Sequence, residues 1–279
     1  MSRLRVVHTS RFRYAGPVVA SYNEARMTPT SHGGQRVVSS RLRVEPHTWS
    51  RDFTDYWGTA VTAFEVLDPH EEMVVRAEHV VDLEPATRPA RDVDWSELWR
   101  PDVVDDLAEF LADTPTTVAP VEVVGLALEC GAGLSPAEAA EAVCRRVRDE
   151  LEYIPGVTTA HTPAAEAWEA RAGVCQDIAH LAVGALHALG VPARYVSGYL
   201  HPATDARVGQ PVVGQSHAWV EWYVGEWVGF DPTNRIAVGE SHVVLGRGRS
   251  YDDVPPLRGI YAGAGTQDLS VEVQITREA

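Results

Sequence analysis

Cys175 opens the most strongly helical segment of the sequence, which makes it the first candidate for a nucleophile. After it, apolar side chains recur at a spacing that lines one face of an α-helix, namely at Ile178, Leu181, Ala182, Ala185, Leu186 and Leu189. Gly190 and Pro192 then end the helical pattern. A cysteine in the first turn of a helix lies at the positive end of the helix dipole, beside unpaired backbone N–H groups, and both favour the thiolate. We therefore predict that Cys175 is a reactive thiol.

A thiol nucleophile needs a base that takes its proton and returns it to the leaving group, and the base needs an acceptor that orients it. Two histidines lie on the same predicted helix, but at 100° per residue His180 lies about 140° around the helix from Cys175. His187 lies about 120° around it and roughly three turns away. His217 is the better candidate, because it begins a strand-like segment, and Asp231 ends the next one. Cys175, His217 and Asp231 form the predicted catalytic set.

The hairpin that connects His217 with Asp231 sets a geometric condition on this prediction. A two-residue turn at Gly225-Glu226 would place the two side chains on opposite faces, because facing residues share a side and side chains alternate. A three- or five-residue loop centred on Gly225 pairs Trp219 with Asp231 instead. His217 and Asp231 then share a face, with a diagonal separation of about 7–8 Å. We therefore predict an odd-length loop.

Each of these residues also has an ordinary structural explanation. A free cysteine often packs inside a protein, and an aspartate before a proline is a typical turn residue. A helix-start cysteine, a strand-start histidine and an aspartate at the end of the next strand have far fewer such explanations together, and this favours catalysis. Asp177 is interpreted as a first-turn acid that stabilises the helix. Glu221 shares the face of His217 without an evident role, and Cys130 and Cys144 are interpreted as structural.

The composition is typical of a globular protein and narrows its partners. The chain has 279 residues, of which 45% are hydrophobic and 23% are charged, which is enough for one large or two modest domains. Its formal net charge of −15 argues against nucleic acid or an anionic membrane as the main partner. No cofactor or metal is expected, because neither a zinc-ligand spacing nor a calcium-loop motif occurs.

The spacing of the cysteines and the polarity of the first residues predict the cellular location of the protein. Three cysteines without a C-x-x-C pair do not indicate a disulfide framework. The first residues carry no apolar signal segment, and no run approaches the roughly 18 apolar residues of a membrane span. A cytoplasmic location, which suits a free thiol, is therefore expected.

Residues 1–84 are predicted to form a β-rich N-terminal domain. The predicted strands are Leu4–His8, Arg11–Tyr14, Arg36–Pro46, Trp49–Tyr56, Ala60–Leu67 and Glu72–Leu83. Turn signals such as Ala15-Gly16-Pro17 separate them. Strands at this spacing, without intervening helices, are typical of an antiparallel sheet or sandwich. The histidines of this region have no metal-ligand spacing and are His8, His32, His47, His70 and His79.

Residues 85–279 are predicted to form a second domain that begins with a connector over residues 84–94. The apolar period then changes from two to about 3.6, which predicts an amphipathic helix that enters through Pro101 and ends near Asp113. Further helices are predicted at residues 121–129 and, after a Ser135 capping box, at 136–151. Strands are predicted at Ala193–Leu200, Gly214–Val224, Glu226–Phe230 and Leu269–Ile275. Residues 246–265 are predicted to form a long loop.

Three segments resemble the core motifs of the transglutaminase-like superfamily, and they are Gly173–Leu181, His217–Glu221 and Trp227–Asn234. The resemblance covers about residues 136–234, and the first third of the chain is similar to the domain that precedes this core in bacterial members. It implies an α+β fold with a papain-like core, in which the nucleophile helix packs on an antiparallel sheet. It also implies that Cys175 is the nucleophile, His217 the base and acid, and Asp231 the orienting carboxylate.

On this basis we expect acyl transfer from amide bonds through a thioester on Cys175. Water as the acceptor gives a protease or amidase, which is slightly favoured, and a primary amine gives a protein-glutamine transglutaminase. The expected substrate is a protein or peptide with a reactive amide or glutamine side chain. The Cys175 N–H is an expected oxyanion donor, and Tyr153 or Trp168 is expected to supply or shape the rest. Two alternatives stay open: a non-catalytic binding or assembly module with this fold, and an acetyltransferase, which lacks a phosphate-binding loop here.

Overall fold

One 24-residue strand, β1 (Ser2–Ala25), is the longest element of the fold. The computed structural model describes residues 1–46, 49–86, 93–202, 207–263 and 265–279. The other strands are β2 (Gln35–Glu45), β3 (Ser50–Thr54), β4 (Ala60–Val66), β5 (His70–Leu83), β6 (Glu152–Tyr153), β7 (Ala172–Gly173), β8 (Ala193–Leu200), β9 (Pro211–Tyr223), β10 (Trp227–Asp231), β11 (Ile236–Ala237), β12 (His242–Gly248), β13 (Leu257–Gly263) and β14 (Gln267–Arg277). The helices are α1 (Trp95–Leu98), α2 (Pro101–Asp106), α3 (Val121–Gly131), α4 (Pro136–Asp149), α5 (Ala164–Ala170) and α6 (Cys175–Ala188).

Strand β1 is paired on both edges along most of its length. Its first half pairs with β5 and with β14, and its second half pairs with β4 and with β13. Alternate side chains of its first half, from Ser2 through Leu4 and Val6 to Ser10, are buried, which is the pattern of a strand with one covered face. The C-terminal strands β13 and β14 thus complete a sheet that the N-terminal residues begin.

The described residues form one 12-stranded sheet and one small two-stranded sheet. Strand pairs in the large sheet are antiparallel, and β6 and β7 pair in parallel. Helix α6 is enclosed in a core made by α3 and α4 on one side and by β8 and β9 on the other, with Val123, Val143, Tyr195 and Val220 among its members. The predicted α+β architecture, with the nucleophile helix packed on an antiparallel sheet, is confirmed. No helix in this described part is long and apolar enough to cross a membrane.

Three predictions of local structure are wrong. Strand β1 continues through the predicted turn Ala15-Gly16-Pro17, with an interruption of its pairing to β5 between Arg13 and Val18. Helix α2 begins at Pro101 as predicted but ends at Asp106, and a 3-10 turn follows. The predicted loop at 246–265 contains the end of β12, a 3-10 turn and β13. His47 and most of the predicted connector, residues 87–92, lie outside the described residues.

Candidate active site

Cys175 is the first residue of α6, and the preceding backbone explains why the helix begins there. Val174, the N-cap residue, has an extended backbone, and its N–H donates to the Asp177 carboxylate at 2.7 Å, as in a capping box. The helix is buried from Asp177 to Leu186, which holds the thiol in a fixed position. Cys175 itself is half-buried. It lines a cleft of about 400 Å³, the Cys175 cleft, together with His217 and Tyr195.

The imidazole of His217 lies between Cys175 and Asp231. Its Nε2 is 2.8 Å from Asp231 Oδ2, and the ring lines the same cleft as Cys175, close enough for Cys175 to raise the pKa of the imidazole. Because Nε2 faces the carboxylate, Nδ1 is the ring nitrogen that remains for the sulfur. The structure therefore brings together the three residues that the sequence singled out.

The hairpin between β9 and β10 meets the geometric condition for this arrangement. Tyr223 pairs with Trp227 and Val220 with Phe230, which leaves a three-residue loop centred on Gly225. The φ of Gly225 is +87°, a conformation that glycine adopts without steric cost. The predicted odd-length loop is thus confirmed.

The surroundings of His217 favour its charged form. Burial lowers the pKa of the imidazole, but hydrogen bonds and Coulombic attraction from Asp231 and Cys175 outweigh burial and raise the pKa to about 10. A protonated histidine stabilises a neighbouring thiolate, which is the nucleophilic form of cysteine. The protonated imidazole can therefore act as a proton donor in the cleft that it shares with Cys175.

The Asp231 carboxylate is fully buried, and it accepts hydrogen bonds from other donors besides His217. The Asn234 backbone N–H donates to Oδ1 at 3.1 Å, and its side-chain amide donates to Oδ2 at 2.7 Å. His242 Nε2 lies 3.3 Å from the same Oδ2. The Gly239 N–H donates to His242 Nδ1 at 3.4 Å, which assigns the ring proton to Nε2. Burial raises the pKa of Asp231, but these hydrogen bonds outweigh burial and lower the pKa.

Sequence reasoning missed the contributions of Asn234 and His242. Asn234 follows Asp231 by three residues, and this short spacing was a signal for a turn in which the aspartate accepts backbone and side-chain hydrogens. His242 gave no such signal. It begins β12, which pairs with β8 rather than with β10, so no local spacing connects it with Asp231.

The two aromatic residues considered for the oxyanion site occupy different environments. Tyr153 lines the Cys175 cleft, and its pKa is raised, first by burial and then by the charge of Cys175. A neutral phenol can donate a hydrogen bond, so Tyr153 fits the expectation. Trp168 is not among the residues that line the cleft. The Arg171 guanidinium covers its ring at 3.8 Å, and a contribution of Trp168 to the oxyanion site stays a prediction.

The remaining polar candidates occupy structural positions. The His180 ring is buried and accepts a backbone N–H at 3.1 Å, and the His187 ring is 2.8 Å from a carboxylate on a neighbouring segment. The buried Glu221 carboxylate is bound by two arginines. Burial raises the pKa of both Cys130 and Cys144. Within the described residues, no group of His, Cys, Asp and Glu could hold a metal ion.

A thiol at a helix start, an imidazole on strand β9 and a buried carboxylate at the end of β10 define the papain-like class of Cys-His-Asp folds. Residues 125–232 match the model of the transglutaminase-like superfamily. Residues 4–82 match the model of the bacterial transglutaminase-like N-terminal region. The chain belongs to the transglutaminase-like superfamily.

The chain is also similar to three individual proteins. An uncharacterized protein of Mycobacterium leprae (strain TN) is 43% identical over 279 residues, which is 100% of both chains. A protein-glutamine gamma-glutamyltransferase of Pseudomonas aeruginosa is 33% identical over 102 residues, which is 33% of this chain and 15% of that protein. The crystal structure of a candidate cysteine protease from Cytophaga hutchinsonii covers 99% of this chain and 91% of its own, with a TM-score of 0.75 at 21% identity. This last likeness concerns the fold.

Proposed function

We propose that this protein is a cysteine-dependent enzyme that transfers acyl groups from amide bonds through a thioester on Cys175. The observation that carries the proposal is the His217 imidazole between a thiol and a fully buried carboxylate. Packing alone does not require such a set, because apolar side chains in place of a buried ion pair are often neutral or stabilising. Catalysis by a thiolate, in contrast, gives each group a role: the thiol attacks, the imidazole transfers the proton and the carboxylate orients the imidazole.

The first half of the proposed reaction forms the thioester. The Cys175 thiolate attacks the carbonyl carbon of the amide, and the carbonyl oxygen becomes an oxyanion. Backbone N–H groups of the first turn of α6 have no partner within the helix, so the Cys175 N–H can donate to this oxyanion, with the Tyr153 hydroxyl as a second donor. The protonated His217 gives its proton to the leaving nitrogen as the C–N bond breaks, and ammonia or an amine departs.

The second half of the reaction releases the acyl group. His217, now neutral, takes a proton from water or from a primary amine, and that nucleophile attacks the thioester carbonyl. The thiolate leaves, and the protonated imidazole is restored. Water gives net hydrolysis, as in a protease or amidase, and a lysine or small amine gives net transamidation, as in a protein-glutamine transglutaminase. We favour hydrolysis slightly, because water is always present at an open cleft.

The test of this proposal combines selective labelling with product analysis. We expect iodoacetamide at pH 6 to label Cys175 much faster than Cys130 or Cys144, which serve as controls within the same molecule. Mass spectrometry of casein and of glutamine-containing peptides, with and without a primary amine, then distinguishes cleavage, deamidation and amine incorporation. Cys175→Ala must abolish every product. Equal, slow labelling of all three thiols, without any product, would instead favour the non-catalytic module.

The proposed partners and location follow from the same chemistry. The substrate is a protein or peptide that presents an amide, and a primary amine is a second substrate if transamidation occurs. The relative named protein-glutamine gamma-glutamyltransferase supports this substrate class. We also propose a cytoplasmic location, because the three cysteines are free and the mechanism needs a reduced Cys175.

A further inference from the structure

A second cavity of about 680 Å³ adjoins the Cys175 cleft. The two share four lining residues, and these are Ser216, Tyr251, Pro256 and Val271. We call the larger space the sheet-side cavity, because the face of the N-terminal sheet forms one of its walls. Ligand-binding cavities commonly measure about 300–1,000 Å³, so the sheet-side cavity has room for several side chains of a polypeptide.

The sheet face in this wall is assembled from β1 and β14. Ser10 pairs with Val271, and Phe12 pairs with Leu269, so these four side chains share one face of the sheet. All four line the sheet-side cavity. Leu269 and Val271 remain 49% and 51% exposed, although both are apolar. The wall is therefore an apolar surface that is about half exposed.

Among the residues that the structure describes, no strand pairs with the outer edge of this part of β14. Strand β14 pairs with β1 along Gln267–Arg277, but it pairs with β9 only from Val273 to Thr276. From Gln215 onward, β9 pairs with β8 instead. A fork therefore opens between β9 and β14 at the Gly214–Val273 pair, next to Cys175, whose cleft both residues line.

The hydrogen bonds at the two ends of β14 show which of its backbone groups face the fork. The Glu278 N–H donates to the Arg3 carbonyl at 2.7 Å, and the Ala15 N–H donates to the Thr266 carbonyl at 3.0 Å. The register between β1 and β14 is uninterrupted, so the even-numbered residues of β14 direct their backbone groups toward β1. The backbone N–H and C=O of Leu269 and Val271 then point outward into the fork.

We propose that the substrate polypeptide binds in an extended conformation along the free edge of β14, residues 267–272, with apolar side chains in the sheet-side cavity and its reactive amide at Cys175. This is strand addition, in which main-chain hydrogen bonds supply affinity and pockets for alternate side chains supply selectivity. The charged side chains in the lining, Asp252 and Arg258, have opposite signs, so the preferred flanking residues are uncharged. The proposal rests on the proposed function and names its substrate class.

The test measures binding separately from turnover. In the Cys175→Ala protein, a fluorescent peptide with a central glutamine flanked by Val, Leu and Phe is compared with one flanked by Asp and Lys. We expect Leu269→Glu to weaken binding of the apolar peptide at least about tenfold, because a charge then lies in an apolar wall. Val213→Glu is the matched control, since Val213 is 80% exposed on β9 and lines neither cavity.

Two further measurements keep the proposal testable if a variant folds poorly. Leu269→Pro removes only the outward N–H and leaves the ladder to β1 intact, and we expect it to weaken the same peptide by a similar factor. Hydrogen exchange of the Cys175→Ala protein needs no further variant, and we expect bound apolar peptide to protect the amides of Leu269 and Val271. Saturating peptide without that protection, or equal binding by the Leu269→Glu and Val213→Glu proteins, overturns the inference.

The outcomes for the two proposals are distinguishable. Peptide binding at β14 without any thioester or product would leave strand addition standing and refute the proposed acyl transfer. Turnover by the wild-type protein that is insensitive to Leu269→Glu and Leu269→Pro would support acyl transfer and refute strand addition. The rate of Cys175 labelling by iodoacetamide is expected to be the same in the Leu269 and Val213 variants, which confirms that the thiol is undisturbed.

Discussion

At the scale of single residues, the site is organised by a carboxylate that water does not reach. Asp231 is fully buried, and an ionised carboxylate in such a place is stable only when several donors compensate for lost hydration. His217, His242 and Asn234 supply those donors. The charge of Asp231 in turn holds the proton on His217, so the buried carboxylate sets the protonation state of a residue that itself contacts the thiol.

The pH dependence of the reaction is expected to show the effect of Asp231 on the protonation of His217. The pKa of His217 is raised to about 10, so its acid form persists through neutral pH and is lost only as the pH rises toward that value. In Asp231→Asn the burial of His217 is no longer offset, so the alkaline limb of kcat/KM should move to lower pH by about 2 units or more. The rate at neutral pH should fall roughly 10²–10⁴-fold.

The control for this measurement is Asp149→Asn, which changes an exposed carboxylate on α4 that contacts Arg235. We expect both its rate and its pH profile to match those of the wild-type protein. An Asp231→Asn profile with an unmoved alkaline limb would show that another group determines that limb.

His242 is expected to act as a positioning residue, because it contacts Asp231 and does not line the Cys175 cleft. His242→Leu removes one donor from the carboxylate, and we expect kcat to fall roughly 10–100-fold, in keeping with one lost hydrogen bond to a charged group of roughly 1.5–3 kcal/mol. KM should stay nearly constant. His242→Gln, which retains a donor, should recover most of kcat, and equal losses in both variants would indicate a packing role alone.

At the scale of elements, sequence reasoning succeeded where the determining contacts are local. The apolar period and Gly190 predicted α6 to within one residue of its end, and the hairpin register followed from side-chain alternation around Gly225. Sequence reasoning failed where the structure depends on pairing between strands that are far apart in the chain. The turn predicted at Ala15-Gly16-Pro17 is absorbed into β1, because β4 and β13 pair with the residues beyond it. His242 was missed for the same reason, since only the pairing of β12 with β8 carries it to Asp231.

Gly184 inside α6 allows a prediction about how closely this helix packs against the Thr117 segment. A Cβ on Gly184 would lie 2.1 Å from the Thr117 backbone carbonyl oxygen, which cannot move as a flexible side chain can. Gly184→Ala gains about 0.5–1 kcal/mol of helix propensity, but overpacking against backbone costs roughly 1–3 kcal/mol or more. The clash dominates, so we expect a lower melting temperature and a lower free energy of unfolding in urea.

The matched control for Gly184→Ala is Gly125→Ala on α3. Both glycines lie inside helices, but a Cβ on Gly125 meets no atom within 4 Å. The same substitution there should raise the free energy of unfolding by about 0.5–1 kcal/mol. If both variants were stabilised, α6 would not be held against the Thr117 segment as the structure describes.

At the scale of the whole molecule, histidines that burial keeps neutral occur both in the large sheet and on α6. His8 on β1 is 2.9 Å from the Tyr199 hydroxyl on β8, and His79 on β5 lies in the same large sheet. Burial lowers the pKa of His8, His32 and His79 to about 4. Burial likewise lowers the pKa of His180 to about 3. Four imidazoles are therefore neutral in the folded protein at a pH where the unfolded chain is partly charged.

This difference predicts that the protein loses stability in mild acid. Below the unfolded pKa of 6.5, the unfolded chain binds more protons at these four residues than the folded protein, so the free energy of unfolding decreases as pH falls toward about 4. At pH 5.5 each residue contributes roughly 1 kcal/mol of destabilisation. The contribution of His217 to the free energy of unfolding has the opposite sign and changes over a different pH range. Its raised pKa adds stability that is complete below pH 6.5 and is lost as pH rises toward about 10.

Urea unfolding at pH 7.5 and pH 5.5 checks this prediction, and we expect the free energy of unfolding to be lower at pH 5.5 by several kcal/mol. His180→Gln retains an acceptor for the Tyr251 N–H but cannot titrate, so the difference between the two pH values should shrink by about 1 kcal/mol. His161→Gln changes a histidine that is 80% exposed and should leave the difference as it is in the wild-type protein. A wild-type protein equally stable at both pH values would mean that these histidines are hydrated in solution. The contact between His8 on β1 and Tyr199 on β8 would then be more open to water than the structure describes.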